Sequence, residues 1–260
     1  MNMNHASYLL MNTRLEIAMP GIEKEKFEEL TNSIYRNVLL IENQVSRFKP
    51  KSQISALNRG GNSSISSLNA HLAFMLMESQ RFYEASQGFF NILMPRTTGL
   101  PPANFFFDED EDEISFDHQN YFLDLGGIAK GYSIDRIVSF LVDQKIQNAL
   151  INFGNSSIFA MGQNPQGTEW KIAIESSTDN FFDVKNQALT TSSTFQMQDS
   201  KKKHHLVNKD GIVNTSNRSV SLLTKTAIEG EFLAKLLLLI PSSELESWLI
   251  KFNIKKYIFF

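Results

Sequence analysis

Apolar residues follow a helical spacing over several long stretches of the chain. Between residues 23 and 45 they recur every three or four positions, among them Phe27, Leu30 and Ile34, which predicts a long amphipathic helix. The same spacing predicts further helices over residues 52–57, 68–86, 127–144 and 226–240, and a short last helix from residue 242. Ser52 stands at the expected N-cap of the second helix, and Gly88 at the expected end of the third.

Shorter apolar runs, bounded by Gly, Pro or Asn, have the pattern of β-strands. They cover residues 13–19, 113–116, 120–123, 149–153, 157–161, 170–174, 188–191, 204–207, 220–223 and 257–260. Gly154 and Asn155 separate two of these runs, which indicates either two strands or one bulged strand. Helices and strands are interspersed without regular alternation and without an internal repeat. This order favours an α/β fold of the α+β type, with mixed, mostly antiparallel sheets and flanking helices.

Composition places the chain among globular proteins and excludes several kinds of site. With 260 residues, of which 42% are hydrophobic and 20% charged, we expect a single domain over residues 1–260 made of two tightly joined lobes. The net charge of −3 gives no basic footprint, so no nucleic-acid partner is expected. Because the chain has no Cys, it has no disulfide, no thiolate metal ligand and no cysteine nucleophile.

Two features bear on the compartment. No apolar run approaches the roughly 18 residues of a membrane span, so no transmembrane segment is expected. Residues 1–10 contain no Lys or Arg and no apolar stretch typical of a signal peptide. We therefore expect a cytoplasmic protein from the sequence as given, and a periplasmic one if a leader has been removed.

The stretch from Asp124 to Asp135, Asp-Leu-Gly-Gly-Ile-Ala-Lys-Gly-Tyr-Ser-Ile-Asp, carries the clearest chemical signal. Gly126 and Gly127 permit a sharp turn, and the helix that follows presents unpaired N–H groups. With Lys130 one turn inside that helix, the stretch suits a phosphate or pyrophosphate. Its spacing is neither that of a Walker loop nor that of a dinucleotide fingerprint. A plain glycine turn is the commoner explanation of a Gly-Gly pair taken alone.

Two other polar clusters offer weaker functional readings. Residues 108–113 are all acidic, which suits a metal ion, but unbroken like charge is more typical of a solvated loop. His204 and His205 suggest a metal pair or an acid/base pair, although neighbours in a strand point to opposite faces. Metal-assisted hydrolysis by these groups therefore ranks far behind phosphate binding.

The stretch from Asp124 to Asp135 closely resembles the signature of the ApbE-type FAD:protein FMN transferases. Other landmarks of that family recur in the same order at residues 11–13, 46–48, 52–58, 86–91, 152–155, 170–174, 204–211 and 226–235. The resemblance implies a T-fold-like, ApbE-like architecture. It also implies a reaction in which the pyrophosphate of FAD is cleaved, FMN passes to a Thr or Ser hydroxyl of a target flavoprotein, and AMP leaves, with Mg²⁺ required.

The resemblance also implies roles for individual residues. It places FAD contacts at Met11, Phe48, Phe89, Phe90, Asn91, Asp124, Lys130 and Leu206, catalytic roles at Lys130 and Glu231, and metal contacts at Gly127, Glu231 and the position of Lys235.

Departures from the family pattern concentrate on the metal ligands. Lys235 stands where the family has a Thr, and Glu231 where it has an Asp; an ammonium has only donors and cannot ligate a cation. Glu231 and Lys235 are instead spaced for an i, i+4 ion pair, worth about 0.3–0.5 kcal/mol if exposed. Softer departures are Asn91, Asn208, Lys209 and Asp210.

These departures leave two functions open. The first is a Mg²⁺-dependent FAD:protein FMN transferase, and the second is a non-catalytic protein of the same fold that binds FAD or another nucleotide. We favour the transferase, with a metal site that is weakened or absent because of Lys235.

Overall fold

The computed structural model describes residues 3–97, 99–174, 181–198, 201–204, 206 and 214–260. Its helices are α1 (Lys24–Val45), α2 (Gln53–Gly60), α3 (Ala70–Ala85), α4 (Ala129–Asp143), α5 (Ala227–Leu239) and α6 (Leu245–Lys251). Its first eight strands are β1 (Met3–Leu10), β2 (Thr13–Pro20), β3 (Asn62–Ser64), β4 (Leu93–Pro95), β5 (Phe106–Asp108), β6 (Glu113–Ser115), β7 (Tyr121–Leu123) and β8 (Ala149–Phe153). The others are β9 (Ser157–Met161), β10 (Trp170–Ala173), β11 (Phe181–Val184), β12 (Gln187–Ser193), β13 (Phe195–Gln198), β14 (Lys201–His204), β15 (Ser219–Thr224) and β16 (Tyr257–Phe259).

A seven-stranded sheet in the order β1-β2-β8-β9-β12-β15-β16 forms the framework, and each neighbouring pair is antiparallel. Its first hairpin turns at Met11 and Asn12, whose φ angles of 50° and 58° lie in the left-handed region. The mixed α/β fold with antiparallel sheets that the sequence predicts is confirmed.

Helices α1 and α4 cover one face of this sheet. The apolar stripe of α1, including Phe27, Leu30 and Ile34, is buried against residues of β2, β8 and α4, which confirms the predicted amphipathic helix. Strand alternation places Phe159 and Ala188 in this core, because successive side chains point to opposite faces.

The hairpin of β10 and β11 covers the opposite face of β9, β12 and β15. Trp170 and Phe182 pack there with Ala160 and Leu189, which are the strand neighbours of residues that face α1 and α4. The indole Nε1 of Trp170 donates to the carbonyl of Met161 at 3.0 Å.

Helix α5 is apolar around most of its circumference, apart from Glu229, Glu231 and Lys235, and lies in the centre of the molecule. A helix of this kind is expected where every face meets protein. Its Phe232 stacks on Phe82 of α3, with ring centroids 4.2 Å apart, and meets Phe90 edge-on at 5.4 Å. Leu233, Leu236 and Leu237 of this helix are all buried. The polar end of α5 is thereby held against the sheet and α4.

Most element predictions are confirmed within one to four residues, and the differences are local. Helix α4 begins at Ala129, after a 3₁₀ turn over Leu125–Gly127, so Lys130 is its second residue and not one turn inside. The strand predicted over residues 204–207 is wrong in its position, because β14 ends at His204 and Leu206 is in no strand. Residues 205 and 207 lie outside the described residues.

The acidic run forms the turn between β5 and β6. Asp112 accepts hydrogen bonds from the backbone N and the Oγ of Ser66, both at 2.7 Å, and from the Oγ of Ser64. These bonds lower the pKa of Asp112. They also join the turn between β5 and β6 to the residues at the end of β3. Within the described ranges, no helix is both long and apolar enough to cross a membrane.

Candidate active site

The glycine turn begins at Asp124, which caps it. The Oδ1 of Asp124 accepts the backbone N–H of Gly126 at 2.8 Å, and this bond fixes the 3₁₀ turn before α4. Gly127 faces the stem of Lys235: a Cβ added there would lie 3.6 Å from Cε of Lys235 and 3.9 Å from the Phe90 ring. The turn and the polar end of α5 are therefore in contact.

Arg47 lies on the outer side of the same turn. Its Nε donates to Oδ2 of Asp124 at 2.6 Å, and its guanidinium lies 4.0 Å from the ring centroid of Phe48 and 5.0 Å from that of Phe122. The side chain of Phe48 remains 67% exposed. Aromatic and guanidinium planes of this kind accept a flat, conjugated ring by stacking.

Lys130, Glu231 and Lys235 form a buried charged triad beside the turn. Oε1 of Glu231 lies 3.0 Å from Nζ of Lys130, and Oε2 lies 2.5 Å from Nζ of Lys235. Ser157 of β9 donates its hydroxyl to Oε1 at 2.6 Å. The expected i, i+4 pair is present, but Glu231 is only 2% exposed, so the small value for an exposed pair does not apply.

The charge state of the triad follows from these contacts. Burial would raise the pKa of the Glu231 carboxyl, but Lys130, Lys235 and the hydrogen bonds from Lys235 and Ser157 outweigh burial and lower the pKa to about 2. Burial and the charge of Lys130 lower the pKa of the Lys235 ammonium, while Glu231 acts in the opposite direction. Counted as formal charges, two ammonium groups and one carboxylate give the triad one net positive charge.

The residues around Glu231 do not fit the Mg²⁺ ion that the resemblance implies. Both carboxylate oxygens face N–H or O–H donors, and Lys235 offers donors where a cation needs oxygen lone pairs. Among the described residues, no group of three His, Asp or Glu side chains is arranged to hold a metal ion. The donor set is suited to an anion.

Asp135, at the end of the motif, fixes α4 against α5. Its Oδ1 accepts the N–H of Ala227 at 2.7 Å and its Oδ2 the N–H of Ile228 at 2.9 Å. Gly131 permits the approach, because a Cβ there would lie 2.5 Å from the carbonyl oxygen of Ala227. Burial raises the pKa of Asp135 to about 6, although both N–H groups favour its charged form.

The other predicted site residues lie in the first hairpin turn, in the apolar core and in a loop. Met11 lies in the first hairpin turn, where its N–H donates to Glu42 and its Sδ is 4.0 Å from Oγ of Ser133 in α4. The rings of Phe89 and Phe90 are buried in the aromatic core, Phe89 edge-on to Trp248.

Asn91 uses both ends of its amide locally. It donates to the carbonyl of Ala103 at 2.6 Å and accepts from Leu93 at 2.8 Å, so it holds the loop before β5. Leu206 is buried in the core that contains α5. Positions 205 and 208–210 lie outside the described residues, and the side chain of His204 is not described.

Sequence reasoning assigned no site role to Arg47, Ser157 or Asp135. Arg47 and Asp135 lie within segments that resemble the family, and this resemblance could have identified them as candidate site residues. Ser157 opens β9, opposite Thr190 of β12, and nothing in its local sequence marks it as a partner of Glu231.

Several known proteins resemble this chain in sequence. FAD:protein FMN transferase of Klebsiella pneumoniae (strain 342) is 28% identical over 141 residues, which cover 52% of this chain and 44% of the relative. FAD:protein FMN transferase of Vibrio cholerae serotype O1 is 23% identical over 252 residues, covering 84% of this chain and 75% of the relative. The match to the Klebsiella relative thus spans less than half of that protein.

Solved structures share the fold. A mutant of the flavin transferase ApbE from Vibrio cholerae has a TM-score of 0.81 at 21% identity, covering 100% of this chain and 94% of that one. The apo form of the Pseudomonas stutzeri flavinyl transferase ApbE has a TM-score of 0.79 at 16% identity, with the same coverage. At these identities the likeness concerns the fold alone.

The sequence also matches a family model, and this match extends over nearly its whole length. The model described as the ApbE family covers residues 11–258, from the turn of the first hairpin to the last strand. It includes the glycine turn, the charged triad and the cap at Asp135. The chain belongs to the ApbE family.

Proposed function

We propose that this protein is an FAD:protein FMN transferase, which cleaves the pyrophosphate of FAD and attaches FMN to a Thr or Ser hydroxyl of a target flavoprotein. The names of its relatives support this activity, since both proteins compared by sequence are FAD:protein FMN transferases. Membership of the ApbE family supports it over nearly the whole chain.

The convergence of Lys130 and Lys235 on one carboxylate beside the glycine turn carries the proposal. Two ammonium groups against one carboxylate leave a net positive formal charge beside the glycine turn and the start of α4. A pyrophosphate is the part of FAD that such a site binds, because charge-assisted hydrogen bonds to phosphate oxygens are strong.

We place the flavin ring on the surface formed by Arg47 and the exposed ring of Phe48. Arg47 joins Asp124 to Phe48 and Phe122, so the stacking surface and the cap of the turn are held as one unit. A flavin stacked on Phe48 would direct its phosphate toward the turn that Asp124 begins.

The proposed transfer is a nucleophilic substitution at phosphorus. The acceptor hydroxyl oxygen bonds to the phosphorus of the FMN half, and the bond from that phosphorus to the bridging oxygen breaks. AMP leaves with the bridging oxygen and its electron pair, and the hydroxyl proton passes to solvent. In such a reaction the protein contributes mainly by positioning and by neutralising charge.

The test is a titration of the purified protein with FAD, followed by flavin fluorescence, with N-acetylthreonine amide as a small hydroxyl acceptor. We expect saturable FAD binding, release of AMP and an FMN-threonine adduct detected by mass spectrometry. Lys130→Met should weaken binding, whereas Lys24→Met should not, because Lys24 is exposed and forms its ion pair with Glu28 within α1. Absence of FAD binding by the wild-type protein would overturn the proposal.

A second candidate function is FAD binding without transfer. The specific observation in its favour is that every oxygen of the Glu231 carboxylate is already paired, so this residue is not available to hold a catalytic cation. Saturable FAD binding with neither AMP nor adduct would favour this function.

A further inference from the structure

The ammonium of Lys235 lies directly against the carboxylate of Glu231. It lies 2.5 Å from Oε2 of Glu231 and 3.2 Å from the backbone oxygen of the same residue. Both acceptors come from one turn of α5, so the lysine is held by its own helix and needs no bound ion to stay in position.

The stem of Lys235 also fills the space above the glycine turn. Its Cε would be 3.6 Å from a Cβ at Gly127, and the Phe90 ring would be 3.9 Å from the same point. The side chain of Lys235 therefore lies directly against the turn that precedes α4. A flexible surface lysine would have no such fixed position.

The carboxylate and the two ammonium groups differ in exposure. The Glu231 side chain is 2% exposed, while those of Lys130 and Lys235 are 22% and 17% exposed. The negative charge is thus enclosed by protein, with Ser157 behind it, and the positive charges form the outer side of the triad. An approaching anion meets the lysines first.

We propose that Lys235 is a built-in replacement for a divalent cation, so that this protein holds the pyrophosphate of FAD with the paired ammonium groups of Lys130 and Lys235 and binds FAD independently of Mg²⁺. This inference rests on the proposed function. It extends that function by stating how the site meets the charge of its substrate.

A single substitution separates the two modes of binding. Lys235→Thr removes the ammonium, frees one oxygen of Glu231 and adds a hydroxyl oxygen four residues away on the same helical face, which are the ligands a hard cation prefers. The wild-type dissociation constant for FAD should change less than twofold between EDTA and millimolar MgCl₂.

For Lys235→Thr, FAD affinity should fall about tenfold or more in EDTA and recover on addition of MgCl₂. A second readout does not involve FAD. MgCl₂ alone should raise the melting temperature of Lys235→Thr and leave that of the wild type unchanged, because binding to the folded state stabilises it.

Three further variants control the experiment. Lys235→Met keeps the length of the side chain without its charge or an oxygen, so its FAD affinity should fall without full recovery in MgCl₂. Lys235→Arg retains the charge and tests the proposal even if the threonine variant does not fold; its FAD binding should remain indifferent to MgCl₂. Lys24→Thr, on the exposed face of α1, should behave as the wild type.

The outcomes distinguish the two proposals. Wild-type FAD binding that strengthens about tenfold or more with MgCl₂ would overturn the inference about Lys235 and leave the transferase proposal standing. If Lys235→Thr and Lys235→Met bind FAD as tightly as the wild type in EDTA, the inference about Lys235 is likewise overturned and the transferase proposal is unaffected. If the wild type binds no FAD under either condition, the proposed function itself fails.

Discussion

The carboxylate of Asp135 accepts the backbone N–H of Ala227, the first residue of α5, at 2.7 Å. Its second oxygen accepts the next N–H of the helix at 2.9 Å. The last residue of the Asp124–Asp135 motif thus caps a helix more than 90 residues away in sequence. Because that helix carries Glu231 and Lys235, the cap aligns them with Lys130, which lies on the same helix as Asp135.

We predict a pH-dependent effect of Asp135→Asn. The pKa of Asp135 is about 6 in the folded protein, above its ordinary value of 3.8, so between pH 4 and pH 6 the folded state binds more protons than the unfolded state. As the pH rises from 4 to 7, wild-type stability should therefore fall relative to that of the Asn variant by about 2 kcal/mol. Urea unfolding of both proteins at pH 4 and pH 7 measures this change, and a constant difference would contradict it.

Gly131→Ala should destabilise the protein although alanine favours helices. The new Cβ would lie 2.5 Å from the carbonyl oxygen of Ala227 and 2.8 Å from Cα of Ile228, and both are backbone atoms that cannot rotate away. We expect a loss of about 1–3 kcal/mol, as for other overpacked sites.

Gly60→Ala is the matched control for this prediction. Gly60 ends α2, and no atom lies within 4 Å of a Cβ built there. This variant should be neutral or stabilised by about 0.4–1 kcal/mol, so only the substitution at Gly131 should destabilise the protein. Thermal unfolding of the two variants compares them directly.

Local patterns predicted most of the longer elements whose buried side chains are apolar, but not β11, in which Phe182 and Val184 are buried. Strand β1 was missed because its half-buried positions include Asn4 and Ala6, whereas Met3 and Leu9 point outward. Exposed and half-buried positions alternate along β1, but apolar and polar residues do not follow the same alternation. Only the pairing with β2 identifies this strand.

The site was predictable only as far as contacts are local. The spacing of Glu231 and Lys235 on one helix predicted their ion pair, which is present. Ser157 reaches Glu231 from 74 positions earlier in the chain, and Lys130 comes from another helix, so helical spacing holds no information about either contact. The burial of the pair likewise depends on the sheet and on α4.

Glu231→Gln should destabilise the protein strongly at neutral pH. The substitution leaves the ammonium groups of Lys130 and Lys235 without their shared carboxylate, and breaking a buried ion pair in this way costs about 3–5 kcal/mol. The exposed Glu28→Gln, which breaks only the pair with Lys24, should cost less than about 1 kcal/mol. Equal effects of the two substitutions in urea unfolding would contradict the prediction.

The same variant has a pH signature of the opposite sign to that of Asp135. The pKa of Glu231 is lowered to about 2 from its ordinary value of 4.5, so between these pH values the unfolded state binds more protons than the folded state. Its stabilising contribution is complete above pH 4.5 and is lost as the pH falls toward 2. The stability gap between the wild type and Glu231→Gln should therefore narrow from pH 5 to pH 3, as measured by urea unfolding at each pH.

Phe48→Ala should weaken FAD binding without affecting stability, if the proposed function is correct. The ring is 67% exposed, so its loss removes little buried area, whereas stacking on a flavin is worth about 0.5–1.5 kcal/mol, or roughly a two- to tenfold change in dissociation constant. Phe181→Ala, at a ring 48% exposed that contacts Lys171 within the β10–β11 hairpin, serves as the control and should leave FAD binding unchanged. Fluorescence titration gives the affinities and urea unfolding the stabilities. Because Phe48→Tyr keeps the stacking plane, it should bind FAD as the wild type does; equal weakening in the Tyr and Ala variants would show that the ring does not act by stacking.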